Sequence, residues 1–193
     1  MSDAKSDLRR VALARREALD PEARRRASAA IAAQILARPE FRTAGVLLAY
    51  AAMRSEVDPA ELVRAALAAG AVVAMPVTDW ARRELALRRV GDLDELVTGR
   101  FGVPEPSASA EPVTPEAVAL VLAPGVAFDP EGRRLGYGAG LYDRLLPRLP
   151  AACPRWGLAF EAQIWDRLPA GEHDAPLDAV VTERRWLARR ERP

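Results

Sequence analysis

The sequence of 193 residues has very few of the side chains that build metal clusters and covalent cross-links. It contains one cysteine, Cys153, and one histidine, His173, so a single chain can form neither an internal disulfide nor a zinc site of several such ligands. Any bound metal is therefore expected to be an oxygen-ligated cation such as Mg²⁺. A lone cysteine, without an apolar N-terminal signal segment, is typical of a reducing compartment, and we expect a cytoplasmic protein.

Lysine is equally scarce, because only Lys5 among the 28 basic residues is a lysine. A bias toward arginine and alanine is typical of GC-rich coding sequence, which would make Lys5 incidental. The alternative is that a flexible ammonium group is needed at this position. Composition alone does not decide between the two interpretations.

The chain also lacks an excess of charge and a long apolar run. Its 28 Lys+Arg against 27 Asp+Glu leave a net charge of +1, which argues against binding nucleic acid or anionic membrane by bulk charge. Arginines near the C-terminus could attract RNA, but no aromatic residues are interleaved with them to recognise bases. No apolar run approaches the roughly 18 residues of a membrane span. We expect neither nucleic acid nor membrane as a partner, and we expect a monomer.

Strand-like and helix-like segments alternate along the chain. Residues 3–37 have the pattern of two helices, the second of them capped by Asp20. The apolar runs 44–50 and 71–76 flank a helix at 58–70, which together make a βαβ unit with parallel strands. Further strand candidates are residues 84–90, 119–124, 156–160 and 179–182.

This order predicts an α/β fold of one domain spanning residues 1–193. We expect an open, mainly parallel sheet with helices on both faces, a Rossmann-like three-layer αβα arrangement. Residues 101–115 contain four prolines and are predicted to be an irregular connection.

Five of the twelve glycines lie within residues 125–140, between a predicted strand and a helix that begins near Leu141. Such a loop offers backbone N–H groups to an anion, and Arg133 and Arg134 add fork-shaped donors that suit phosphate. A Walker A loop is excluded because no lysine follows these glycines. The dinucleotide fingerprint also fails, since Leu141 stands where its last glycine is required. The loop therefore predicts phosphate binding of another kind.

The stretch 124–143 resembles the signature of the 5-formyltetrahydrofolate cyclo-ligase family, also called methenyltetrahydrofolate synthetases. Other blocks that are similar to the family follow its order and span nearly the whole chain: Lys5, Leu8 and Arg9, then residues 55–57, 101–106, 159–163 and 173–182. The resemblance implies an enzyme that uses ATP and Mg²⁺ to close 5-formyltetrahydrofolate into 5,10-methenyltetrahydrofolate. It also implies release of ADP and phosphate through a phosphorylated formyl group, an iminophosphate.

The resemblance also implies roles for individual residues. The ATP-binding positions correspond to Lys5, Arg9, Arg134, Leu135, Gly136, Tyr137, Gly138, Ala139, Gly140, Leu141 and Tyr142. Arg134 and Tyr142 would be catalytic. The folate-binding positions correspond to Ala51, Glu56 and Phe101, together with Tyr137, Gly138, Ala139, Gly140 and Leu141. Asp143 and Asp178 would be the ligands of Mg²⁺.

Several of these residues also have ordinary structural interpretations. Asp143 fits a charge at a helix N-terminus, Asp178 a turn cap, and Phe101 a core side chain. The loop also departs from the family at Ala139 and Leu141, where a glycine and a tyrosine are common. Two other functions therefore stay open: a related ATP-dependent enzyme acting on another formamide or carboxylate, and a non-catalytic folate- or nucleotide-binding module.

Overall fold

The computed structural model describes residues 2–169, 171 and 174–189. His173 and the arginines at 190 and 192 lie outside these described residues. The helices are α1 (Ser2–Glu17), α2 (Pro21–Leu36), α3 (Pro39–Arg42), α4 (Ala60–Ala68) and α5 (Leu141–Leu145). The longer strands are β1 (Val46–Leu48), β2 (Val72–Asp79), β3 (Glu84–Val90), β7 (Leu120–Ala123), β10 (Arg155–Leu158), β11 (Ala179–Val181) and β12 (Trp186–Ala188). Two-residue strands are β4 (Val97–Thr98), β5 (Pro104–Glu105), β6 (Pro112–Val113), β8 (Ala127–Phe128) and β9 (Arg134–Leu135).

Eight strands form one sheet in the order β12-β11-β10-β7-β1-β2-β3-β6. The five strands from β11 to β2 are parallel, whereas β12, β3 and β6 pair in antiparallel fashion at the two sides. The prediction of a mainly parallel α/β sheet is confirmed. Two small ribbons, β4–β5 and β8–β9, lie outside it.

The helix boundaries follow from local chemistry. The Asp20 side chain accepts a hydrogen bond from the Ala23 N–H at 2.9 Å, and it caps α2 as predicted. Asp58 accepts the Ala60 N–H at 2.9 Å where α4 begins. Gly70 ends that helix region with φ +82°, a left-handed conformation that favours glycine.

Alternate residues of the central strands pack on opposite faces of the sheet. Leu47 lies in the cluster formed with α2 and α4, whereas the adjacent Leu48 lies in the cluster that contains Phe128 and Leu145. The predicted cover on both faces is therefore present. The second face is covered by the short helix α5 and by the β8–β9 segment, and α1 packs on this segment through Ala12.

Residues 101–115 are built from short pieces, as the prolines predicted. They include part of the 3₁₀ turn Arg100–Gly102, the two-residue strands β5 and β6, and the start of the 3₁₀ turn Pro115–Ala117. Within the described part of the chain, no helix has both the length and the apolar character needed to cross a membrane.

Candidate active site

A cavity of ≈ 530 Å³ opens beside the carboxyl ends of β1 and β7, the edge at which open α/β sheets commonly bind ligands. It brings together residues that are distant in the sequence. Among the predicted site residues, the cavity is lined by Lys5, Arg9, Ala51, Glu56, Arg134, Leu135, Gly136, Tyr137, Gly138, Ala139, Gly140, Leu141, Tyr142 and Asp143. The backbone of Phe101 lies in the turn Arg100–Gly102, whose Arg100 lines the cavity; the Phe101 side chain is outside the described part.

The glycine loop adopts backbone conformations that other residues rarely take. Gly138 and Gly140 have φ +108° and +63°, and Gly140 directly precedes α5. The Arg9 side chain donates a hydrogen bond from Nε to the Gly136 carbonyl oxygen at 2.8 Å. Helix α1 therefore holds the loop in place through one of the predicted phosphate-binding residues.

Arg134 and Asp143 form an ion pair at the wall of the cavity. The Arg134 side chain is 4% exposed, and its Nη2 donates to Asp143 Oδ1 at 2.8 Å. The guanidinium carbon lies 5.2 Å from the centre of the Tyr142 ring. Burial raises the pKa of Tyr142, and its hydroxyl has no hydrogen-bond partner among the described residues. Tyr142 is therefore a neutral phenol that lines the cavity and whose buried hydroxyl hydrogen has no acceptor among the described residues.

Lys5 forms an ion pair with Asp174, which belongs to the family-like block 173–182 but is not among the predicted site residues. Its Nζ lies 2.9 Å from Asp174 Oδ2, which also accepts the Gly171 N–H. Burial alone would raise the pKa of Asp174, but hydrogen bonds from Lys5 and Gly171 hold it below its ordinary value. Asp174 lines the cavity as an ionised carboxylate.

Glu56 also lines the cavity and is almost fully buried. The Met53 N–H donates to its Oε2 at 2.9 Å, and the Tyr137 hydroxyl donates to its Oε1 at 2.8 Å. Burial raises the pKa of Glu56, against the opposing effects of these two hydrogen bonds and of the nearby Arg16 guanidinium. Burial, with Glu56 next in effect, raises the pKa of Tyr137 to about 12. Tyr137 therefore stays protonated and acts as a hydrogen-bond donor.

Part of the cavity wall is apolar. Met75, Pro76, Leu85 and Val103 contribute to it, and the indole of Trp80 lies at the rim with 41% of the residue exposed. A cavity that combines an apolar wall, a buried carboxylate and several cations suits a flat ring system that carries polar groups.

Asp178 is not brought to the cavity. It directly precedes β11, and its Oδ2 accepts the N–H of Arg155 at the amino end of β10, at 2.8 Å. The site lies at the opposite, carboxyl edge of these parallel strands. The structure therefore separates Asp178 from Asp143 and gives Asp178 the position of a turn cap. Asp174, four residues earlier, is the second aspartate that lines the cavity, beside Asp143.

The fold and this cavity define a class of protein. It is an α/β protein with a glycine-rich loop, of the kind that binds anions, at the carboxyl edge of its parallel strands. The particular family follows from comparison, because the model of the 5-formyltetrahydrofolate cyclo-ligase family matches residues 1–183. The chain belongs to this family.

Individual relatives agree with this assignment. The chain is 32% identical over 171 residues to a 5-formyltetrahydrofolate cyclo-ligase of Escherichia coli, covering 87% of this chain and 94% of the relative. A solved 5,10-methenyltetrahydrofolate synthetase of Aquifex aeolicus superposes with a TM-score of 0.85 at 36% identity, covering 98% of this chain and 94% of that one. A synthetase of Mycoplasma pneumoniae, with a TM-score of 0.76 at 21% identity and coverage of 93% and 98%, supports the fold alone.

Proposed function

We propose that the protein catalyses the ATP-dependent closure of 5-formyltetrahydrofolate to 5,10-methenyltetrahydrofolate, with release of ADP and phosphate. Family membership gives the reaction class. The observation that carries the proposal is one cavity lined by the glycine loop, by the cations Lys5, Arg9 and Arg134, and by the buried carboxylate of Glu56. The proposal also includes a monomer in which residues 1–193 act as one domain.

The ATP triphosphate would lie beside the glycine loop and the cations that line the cavity with it. Lys5, Arg9 and Arg134 line the cavity there and can donate charge-assisted hydrogen bonds to phosphate oxygens. The glycines at 136, 138 and 140 let the backbone approach an anion closely. Ala139 adds one methyl group to the loop, and the leucine at 141 removes the phenol common in relatives. Neither change removes a charged group, so we expect activity to be retained.

The folate would lie with its pterin ring against Glu56. A carboxylate accepts two hydrogen bonds side by side, which matches the adjacent N–H donors of a pterin. Ala51 and the apolar wall would contact the ring, and Phe101, whose neighbour Arg100 lines the cavity, would complete this side. This arrangement leaves the formyl group directed toward the phosphates.

The reaction needs the formyl oxygen to become a leaving group. That oxygen attacks the γ-phosphorus of ATP, the bond to ADP breaks, and an iminophosphate forms. The N10 lone pair then attacks the formyl carbon, its proton is lost, and the C–O bond breaks to release phosphate. Arg134 would stabilise the charge on the transferred phosphoryl group, and the free Tyr142 hydroxyl would donate a hydrogen bond to it.

Asp143 and Asp174 have the chemistry that Mg²⁺ requires. Mg²⁺ is commonly held by about one or two carboxylates together with substrate phosphates, so this pair is sufficient without a larger acidic cluster. Both aspartates line the cavity, and the charge of Arg134 acts on both. When bound, the ion would neutralise phosphate charge during transfer. Asp178 is not part of this proposal because of its position at the opposite edge of the sheet.

The proposal is tested by mixing the purified protein with 5-formyltetrahydrofolate and Mg·ATP. We expect the methenyl absorbance to appear together with one ADP per product. Asp143→Asn should lower turnover at least about tenfold and raise the Mg²⁺ concentration needed, because a charged oxygen ligand is lost. Asp178→Asn is the matched control and should keep wild-type turnover. Folate binding without ATP hydrolysis would instead identify a non-catalytic binding module, and turnover of another formamide alone would identify a related enzyme.

A further inference from the structure

Arg16, in the last turn of α1, is buried to 1% exposure, which is costly for a guanidinium unless its donors are matched. Its Nε donates to Ser55 Oγ at 3.0 Å, and its Nη2 donates to the Tyr137 hydroxyl at 2.9 Å. Its Nη1 donates to the Gly125 carbonyl oxygen at 3.4 Å and lies 3.8 Å from Glu56 Oε1. One guanidinium therefore joins the end of β7, the glycine loop and the segment that carries Glu56.

These contacts fix the direction of each hydrogen bond. An arginine can only donate, so the Tyr137 oxygen must accept from Arg16 and direct its own hydrogen at Glu56 Oε1. The second oxygen of Glu56 accepts the Met53 N–H. Both carboxylate oxygens are thus acceptors from the protein, and each keeps a further lone pair for a donor in the cavity. The arrangement favours an ionised, oriented Glu56.

We propose that Arg16 is a positioning residue for the cyclisation, which keeps Glu56 ionised and aimed at the pterin while linking it to the glycine loop. The proposal rests on the proposed function. Arg16 is not among the residues that line the cavity, so it acts on the substrate through Glu56 and Tyr137. The same helix carries Lys5 and Arg9. Helix α1 therefore supplies two predicted ATP-binding residues and also orients Glu56.

The charges around Glu56 support this role. Within the described part of the chain, the phenols whose charge interacts with that of Glu56 are Tyr137 of the glycine loop, Tyr50 after β1 and Tyr142 of α5, and burial raises the pKa of each so that it stays neutral. Arg16 from α1 is the cation that opposes the effect of burial on the pKa of Glu56. Asp58 adds a further negative charge near Tyr50, which also favours a neutral Tyr50.

The test measures the pH dependence of kcat/KM for 5-formyltetrahydrofolate in Arg16→Met, Arg16→Lys and wild type. Arg16→Met should raise the KM for the folate about tenfold with a smaller effect on the KM for ATP, because a hydrogen-bond network to a charged group is lost. Its acidic limb should move upward, since the opposite charge beside Glu56 is removed. Arg15→Met is the matched control: Arg15 is exposed on the same helix and contacts Trp165.

Arg16→Lys separates positioning from folding. It keeps a cation, so its acidic limb should stay near that of wild type, while loss of the planar fork should raise the folate KM several-fold. A folded Arg16→Lys variant with the wild-type folate KM overturns the proposal, whether or not Arg16→Met folds. An unchanged acidic limb in a folded Arg16→Met variant overturns it as well.

Carbon-13 NMR titration of the Glu56 carboxyl, assigned with Glu56→Gln, gives a readout independent of turnover. The Glu56 pKa should be higher in Arg16→Met than in wild type, and equal values overturn the proposed role of Arg16 in ionising Glu56. Absence of methenyl product in wild type would instead refute the proposed function, and the titration would still decide whether Arg16 controls the charge of Glu56.

Discussion

Gly132→Ala should destabilise the protein far more than a glycine substitution with the same backbone conformation elsewhere. Gly132 lies in the β8–β9 turn with φ +75°, and a Cβ at this position would lie 2.2 Å from the carbonyl oxygen of Leu177. That neighbour is backbone of a fully buried residue, and its N–H donates to the Gly132 carbonyl oxygen at 2.9 Å. The added methyl group therefore has no room unless the two segments separate.

The magnitude follows from three contributions. A Cβ in the left-handed region costs roughly 1–2 kcal/mol. Forcing an extra carbon into packed surroundings costs roughly 1–3 kcal/mol, and a lost hydrogen bond about 1 kcal/mol. The free energy of unfolding should therefore fall by about 4 kcal/mol. Gly70→Ala is the matched control, because Gly70 has φ +82° and a Cβ added there would have no described atom within 4 Å, and it should lose about 1 kcal/mol.

Urea unfolding followed by circular dichroism and tryptophan fluorescence measures both values under the same conditions. If the two variants lose the same free energy to within about 0.5 kcal/mol, the steric argument for the Gly132–Leu177 contact is wrong. Turnover gives a second comparison, since the strand that follows Gly132 carries Arg134 into the cavity. Gly132→Ala should therefore lose activity that Gly70→Ala keeps.

Two further outcomes concern single side chains. Lys5→Ala should raise the KM for ATP about tenfold, because it removes a charge-assisted donor to phosphate. The control is Arg10→Ala, on the same helix with a side chain 75% exposed, which should leave this KM unchanged. Equal ATP KM values for Lys5→Ala and wild type would contradict the role of Lys5. Burial raises the pKa of the Cys153 thiol to about 11, so native protein should resist iodoacetamide at pH ~8 and Cys153→Ser should keep its turnover. Rapid labelling of native protein with loss of activity would show that the thiol is accessible and near the site.

The elements that the sequence predicts well have strong local signals. Asp20, Asp58 and Gly70 mark helix ends through side-chain hydrogen bonds and backbone conformation that depend on neighbouring residues alone. The continuous apolar runs of β1 and β7 likewise predict strands buried on both faces. The β8–β9 ribbon escapes prediction because its two-residue strands are too short for any periodicity to be visible.

The site residues also divide into those that the sequence predicts and those that it does not. The residues of the glycine loop are contiguous, so their motif alone places them together. Of the 28 basic residues, 27 are arginines, so nothing in the composition distinguishes Arg16. The sequence does not predict its role because its burial depends on how α1 packs. Its spacing of seven residues from Arg9, two helical turns, is the available signal. The resemblance implies Asp178, and not Asp174, as a ligand of Mg²⁺, and the sequence alone does not reveal that Asp178 lies where the chain enters β11.

The ion pair between Lys5 and Asp174 joins residues 169 positions apart in the chain. During synthesis on the ribosome, the N-terminal helix must wait for nearly the entire chain to emerge before this pair can form. Translation products that stop short of residue 174 would contain most strands of the sheet but no partner for Lys5.

An affinity tag joined directly to the N-terminus would stand only a few residues from the same contact, so a C-terminal tag is the sounder choice for measurements of nucleotide affinity.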